Sequence, residues 1–291
     1  MEKRLKITLL DAVIILLLAG ACIWIFRRVW VELNYSWNWS VMPQYLLRYD
    51  QHKGHVVPNV LMKGFLTTVK LSIWSMILAT LLGSVMALLR VSRSLFRRMI
   101  ARTYVELVRN MPPLVLVFIL YFFVSDQILS LLGIEKIMQS LSPTAQKFLV
   151  CCFSTPAQFP VFASGLITLV IYEGAYITEI VRAGILSIEK GQWEASSAMG
   201  LSKWQQMRHV IFPQATVRIL PPLAGQLIST IKDSAIVSVI SIQELTFQGM
   251  ELMAATYLTF EVWITITVLY FILTFGLSLG VRWLEVSMHR Y

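Results

Sequence analysis

The chain is dominated by apolar runs long enough to cross a bilayer. Gly64 to Leu89 carries one charge, Lys70, and Val262 to Trp283 carries one, Arg282. About 20 apolar residues in a helix span the ~30 Å hydrocarbon core of a membrane. Water cannot be the solvent for such surfaces, so lipid is. Composition agrees: 14% of residues are charged, against about 25% in a soluble domain, and the mean hydropathy is +0.68. The predicted class is an all-α integral membrane protein.

Six transmembrane helices are predicted, at 7–26, 64–89, 99–125, 161–181, 219–242 and 262–283. The first is broken only by Asp11 and follows Lys3, Arg4 and Lys6. That start resembles a signal peptide with Ala19-Gly20-Ala21 at the cleavage position and Cys22 after it. The apolar run continues through Ile23 to Phe26, which favours an uncleaved helix. Residues 27–58 are rich in Trp and Tyr, the residues of membrane interfaces, and predict an external loop or a short surface helix. The segment 126–160 predicts a second external region with short interfacial helices. The third span contains Pro112 and Pro113, which should kink or unwind it.

Charge orients the chain. With the amino terminus inside, fifteen Lys and Arg fall on cytoplasmic segments, seven outside and three within spans. This bias predicts a multi-pass protein with both termini cytoplasmic, although Arg27 and Arg28 run against it. The net charge of +9 follows from the same bias and predicts no nucleic-acid partner, since no basic run is interleaved with aromatic residues.

The informative stretch lies on the positive side, in 182–218. Glu194, Ala195, Ser196, Ser197 and Ala198 predict a short helix with a nearly bare surface, which another protein can approach closely. Glu194 at its start would suit the helix dipole, and Gly200 would end it in a left-handed conformation. A second amphipathic piece, Ser202 to Phe212, would run along the membrane face.

This stretch resembles the cytoplasmic motif of binding-protein-dependent importer permeases: E-A-A, three residues, G, nine residues, I-x-L-P. Here it reads Glu194-Ala195-Ser196, Gly200, then Val210-Ile211-Phe212-Pro213. Further segments resemble the polar amino-acid subgroup, the histidine, glutamate and glutamine permeases. They are Gly64 to Val69, Tyr104 to Pro112, Ala175 to Gly184, Lys190-Gly191-Gln192, Ile231 to Ser234 and Glu244-Leu245-Thr246. Leu116 and Pro113 depart from the subgroup, which often has Gln and Leu there.

The resemblance implies a five-helix type I ABC permease core plus an N-terminal helix. The division is 1–58, an N-terminal helix and external loop, and 59–287, the permease domain with its coupling loop at 182–218. It implies a permease in a bacterial inner membrane, importing a polar amino acid. The implied partners are an ABC ATPase subunit, a second permease subunit, an external solute-binding protein and the lipid bilayer. It also implies an ATPase-docking surface at Glu194, Ala195, Ser196, Ala198, Met199, Gly200 and Ser202. A channel or secondary transporter for a small polar solute is the alternative.

Charges at membrane depth are costly and need a partner or a cavity. Glu106 and Arg109, beside Asn110, Met111 and Pro112, are the candidates for the substrate pathway. Glu173, Glu179, Lys232 and Asp233 read better as structural pairs. Gly276-Leu277-Ser278-Leu279-Gly280 matches a hydrolase nucleophile motif, but that motif needs a strand-turn-helix context, and Gly276 with Gly280 equally marks helix packing. His52 and His55 are two ligands at most, so no metal or cofactor is expected. No Gly-Lys dipeptide of a phosphate-binding loop occurs, which places ATP hydrolysis on another chain. Asn34-Tyr35-Ser36 and Asn38-Trp39-Ser40 match the glycosylation sequon, a weak tripeptide signal that a bacterial source would make irrelevant.

Overall fold

The computed structural model describes residues 9–32, 35–51, 54–129 and 131–288. The amino-terminal cations Lys3, Arg4 and Lys6, the sequon residue Asn34, and His52 lie outside them. Two compact units divide the chain, Met1–Trp39 and Ser40–Tyr291.

The first unit is built on α1, Leu9–Glu32, whose apolar part is Leu9–Ile25. After it, the Tyr35 ring meets Trp37 edge-on at 5.2 Å and Trp37 stacks on Trp39 at 6.0 Å.

The second unit opens with α2, Met42–Leu46, and a hairpin of β1, Leu47–Asp50, and β2, His55–Pro58. The strands are antiparallel, with Leu47 opposite Pro58 and Asp50 opposite His55. The segment 27–58, expected as a loop or a short surface helix, thus contains the short helix α2 and, beyond that expectation, this hairpin; no other strand occurs among the described residues.

α3, Val60–Arg90, contains no proline and runs unbroken for 31 residues. At 1.5 Å per residue it is about 46 Å long, well beyond the hydrocarbon core. It packs along α8, Phe159–Leu186, through small residues: Ser72, Ser75, Ala79 and Gly83 of α3 and Ser164, Gly174 and Thr178 of α8 are all buried. A Cβ on Gly83 would lie 2.7 Å from Ile177 Cγ2 and 3.0 Å from the Gly174 carbonyl oxygen. The two backbones approach as closely as glycine permits, the usual device of helices in lipid.

The third expected span is not one kinked helix but two. α4, Leu95–Asn110, and the run from α5, Pro113–Leu120, through Leu129 meet at 114°. The cause is local. Met111 precedes a proline and is held extended (ψ 143°). Pro113 then starts α5, where its missing N–H costs nothing. α4 buries Ala101, Val105 and Val108 and exposes Arg97, Arg98 and Arg102, the pattern of a helix lying on an interface.

The outer segment contains α6, Ile134–Gln139, and α7, Pro143–Cys152, capped by the Ser142 hydroxyl accepting from the Ala145 amide. α3 grips the far end of α7. Lys70 Nζ donates to the Val150 carbonyl at 2.6 Å and Trp74 Nε1 to the Cys152 carbonyl at 2.9 Å. After α8 come α9, Lys190–Ala198, and α10, Lys203–Gln205. A π-helical stretch, Gln206–Ile211, joins α10 to α11, Phe212–Asp233. The piece expected to end at Phe212 therefore continues into the fifth span as one helical run, Lys203–Ile240. α12, Leu245–Thr256, and α13, Thr259–Met288, complete the chain.

Four helices among the described residues are long and apolar enough to cross a membrane, and five if the broken pair counts as one. The sixth expected crossing falls on α1.

Glu244 ties three helices together between the fourth and last of these spans. It caps α12 by accepting from the Phe247 amide at 2.8 Å, and its other oxygen accepts from Tyr270 of α13 at 2.9 Å and Thr68 of α3 at 3.3 Å. Burial pushes its carboxyl pKa up, and these bonds counter that by stabilising the charged form.

Candidate functional site

Two regions carry the chemistry. The first is the segment after α8. Its helix begins at Lys190, four residues before Glu194, so Glu194 sits mid-helix and not at the positive end of a dipole. It pairs instead with Lys190 at 3.1 Å, one turn away. Gly200 follows with φ +76°, as the sequence implies, in open space. Glu194, Ala195, Ala198, Met199, Gly200 and Ser202 are exposed, Met199 at 79%. Ser196 is the exception: it is buried, and its hydroxyl donates to the Trp193 carbonyl at 3.0 Å. Ser202 caps α10 in a reciprocal box with Gln205.

The inner face of this segment is part of the protein core. Trp193 packs against a cluster that includes Ala87 of α3, Ile185 of α8, and Ile211 and Ala215 of the following helical run. Gln214 Nε2 donates to Gln192 Oε1 at 3.2 Å, and Arg218 donates to the Ser187 carbonyl. Gln206, buried, donates to the Leu201 carbonyl at 2.7 Å. Thus an exposed helix is fixed by an aromatic anchor to the ends of three spans.

The second region is a polar cavity of about 390 Å³ where the end of α3, the break after α4 and α8 converge. Glu106, Arg109 and Asn110 line it, together with Arg90, Tyr176 and Glu179. Met111 and Pro112 do not line it; they form the extended break, and Met111 packs on the Val108, Leu116 and Ala175 cluster. The Arg109 guanidinium stacks over the Tyr176 ring, 5.2 Å from its centroid. Glu179 is flanked by two cations, Arg90 and Arg182, the latter at 2.8 Å. Glu106 pairs with Arg102 at 2.6 Å on the exposed side. Opposite charges, an amide and an aromatic face therefore surround one space.

Glu179 is ion-paired, as the sequence implies. Glu173 accepts from Gln226 at 2.6 Å and interacts with Asp233, on which the charge of Lys232 also acts. Arg90 and Tyr176 were missed because one closes a basic run and the other lies in an apolar helix; only the fold brings them to Arg109.

A second cavity, of about 440 Å³, lies toward the other end of α3, lined by Lys63, Thr67, Lys70, Gln158 and Gln243 among others.

Residues 79–290 match the family model described as the binding-protein-dependent transport system inner membrane component. The chain belongs to this family. A probable glutamine ABC transporter permease protein of Bacillus subtilis (strain 168) is 31% identical over 232 residues, covering 80% of this chain and 94% of that one. The glutamine transport system permease protein of Escherichia coli (strain K12) is 46% identical over 127 residues, 44% of this chain and 58% of its own length. A solved structure described as an amino acid ABC transporter with histidines matches at a TM-score of 0.66 and 28% identity, covering 87% of this chain and all of that one. The chain is thus a multi-pass permease component of a binding-protein-dependent transport system, with the fold of type I ABC permeases.

Proposed function

We propose that this permease imports a polar amino acid, delivered by an external binding protein and driven by ATP hydrolysis on a separate subunit. The observation that carries the reading is the exposed surface Glu194 to Gly200 fixed to the ends of three spans. An ATPase subunit docks there, and its closure displaces α9 together with α8 and α11. The polar cavity at Arg109, Glu106 and Asn110 lies on the substrate pathway, with the break at Met111–Pro112 shaping its wall. Two permease subunits complete that pathway. Both termini face the cytoplasm, consistent with the charge bias and with α9 on the inner side. In this reading 59–287 is the permease domain and 1–58 an addition to it.

The test is purification of the tagged protein in mild detergent, followed by mass spectrometry of what accompanies it. A stoichiometric P-loop ATPase is expected. Its reproducible absence from a well-folded sample, together with uptake that needs no ATP, would favour a channel or secondary transporter instead.

A further inference from the structure

The 440 Å³ cavity at the far end of α3 is lined by two lysines, Lys63 and Lys70, and by no acid among the described residues. The two are seven positions apart, two turns of helix, so they share one face about 10 Å from each other. Lys70 donates to the Val150 carbonyl at 2.6 Å, which leaves two of its three donors. Lys63 is exposed and makes no ion pair among the described residues. Gln248 of α12 is only 9% exposed and lines the same space. Its side-chain amide makes no hydrogen bond among the described residues, whereas buried polar groups are normally paired. Two cations and an unpartnered amide around one cavity call for an anion.

Depth says where that anion comes from. Lys70 and Arg90, the last residue of α3, are separated by about 30 Å of helix, the thickness of the hydrocarbon core. With Arg90 at one boundary, Lys70 lies at the other and Lys63 further out, among the headgroups. Trp74, one turn inward from Lys70, stacks on Phe153 of the cavity wall at 4.8 Å, the level at which indoles gather. Continuity says what kind of molecule carries the charge. Below Lys70 the same face of α3 presents Ile73, Ile77, Leu81, Val85 and Leu88, all exposed, at the three- and four-residue spacing of a single stripe. A free anion or an acidic side chain of a protein would use the lysines and leave the stripe bare. An amphiphile uses both. A zwitterionic headgroup would also bring an ammonium against two lysines with no acid to receive it, so an anionic headgroup fits better.

We propose that this cavity binds the phosphate of an anionic phospholipid through Lys63, Lys70 and Gln248, with the acyl chains lying along the exposed stripe of α3. The leaflet rests on the orientation proposed above and is the outer one; the chemistry of the site does not depend on it. Lys70 then holds the end of α7 with one donor and the lipid with the others, so the lipid braces the outer segment against α3.

The test is native mass spectrometry of the tagged protein, with whatever subunits accompany it, extracted in mild detergent and titrated with phosphatidylglycerol or phosphatidylethanolamine. The wild type is expected to hold phosphatidylglycerol more tightly by at least about fivefold, the worth of one lysine beside an anionic headgroup. Lys63→Gln combined with Lys70→Gln is expected to bring the two lipids level. Lys136→Gln combined with Lys147→Gln removes the same charge from exposed lysines outside the cavity and is expected to leave the preference intact. If the cavity pair does not fold, Lys63→Gln alone, which spares the Lys70 bond to Val150, is read in its place and should lose at least about half the preference. Equal retention of the two lipids by the wild type overturns the proposal, as does a preference that survives the cavity variants or that the control pair also removes. Displacement of the lipid by millimolar inorganic phosphate assigns the cavity to a free anion instead. A wild type without lipid preference, whose cavity variant loses stimulation of ATP hydrolysis by the external binding protein, assigns it to an acidic protein surface. Either result overturns the lipid site. Because lipid is what is read, none of these outcomes depends on an ATPase co-purifying, whose absence bears only on the proposed function.

Discussion

The Arg109 guanidinium lies 5.2 Å from the centroid of the Tyr176 ring, a contact between the last turn of α4 and the middle of α8. It bridges the bend that separates α4 from its own span, so one side chain fixes the cavity wall. Cation–π contacts of this kind contribute about 0.5–2 kcal/mol. Lys carries the charge but not the planar, weakly hydrated face. Arg109→Lys and Tyr176→Leu should each lower the uptake rate by roughly two- to thirtyfold at that energy. Tyr176→Phe, which keeps the ring and loses only the hydroxyl contact with Tyr172, should change it far less. Uptake by cells carrying equal amounts of each variant measures this; a Phe variant as impaired as Leu would show that the ring face is not what matters.

Gly200→Asp should abolish uptake while leaving the protein in the membrane and folded. The new side chain meets open space within the chain, so the intramolecular cost is confined to the positive φ, about 1–2 kcal/mol. The expected loss comes from a charge placed on the proposed docking surface. Parallel assays of membrane insertion, ATPase co-purification and uptake decide it, and normal uptake by this variant would remove the docking claim.

Glu244→Ala should destabilise the folded protein by about 2–4 kcal/mol, through a lost helix cap and the buried Thr68 and Tyr270 hydroxyls left without their acceptor. Tyr270→Phe removes one of these bonds and should cost only about 1 kcal/mol. Thermal unfolding in detergent ranks the two. Equal midpoints would mean that Glu244 does not join α3, α12 and α13 energetically.

Gly83→Val should prevent accumulation of folded protein, because a Cβ there meets Ile177 at 2.7 Å and the Gly174 carbonyl oxygen at 3.0 Å. Overpacking usually costs about 1–3 kcal/mol, and here one of the obstructing atoms is backbone. Combining Gly83→Ala with Ile177→Ala, which clears the side-chain obstruction, should restore part of the yield, measured by size-exclusion chromatography of the detergent extract.

Local rules carried much of this far. Apolar length placed α3, α8, α11 and α13, and Gly200 was legible as a left-handed stop because its residue type and the helix before it both demand one. Pro112-Pro113 announced an interruption but not its 114° size, because the turn is set by α4 finding an interface and α5 finding α8. The hairpin at Leu47–Pro58 gave no signal, since its strands are four residues each and lack clear alternation. The start of α9 was misplaced because Lys190-Gly191-Gln192 reads as a loop until Trp193 is seen packed in the core. Arg90, Tyr176 and Glu179 are separated by up to 89 positions in the numbering, and no pattern short of the fold joins them to Arg109.

Trp193 gives the exposed helix a mechanical character. A surface segment on a slack tether can be pulled without consequence for what lies beyond it. α9 has no slack: its indole is seated among residues of three membrane helices, and side-chain bonds from Gln214 and Arg218 brace the chain on either side of its start. A displacement applied to this helix must either extract an aromatic ring from a packed core or carry the spans along. The second is far cheaper, so the segment behaves as a crank and not as a hinge.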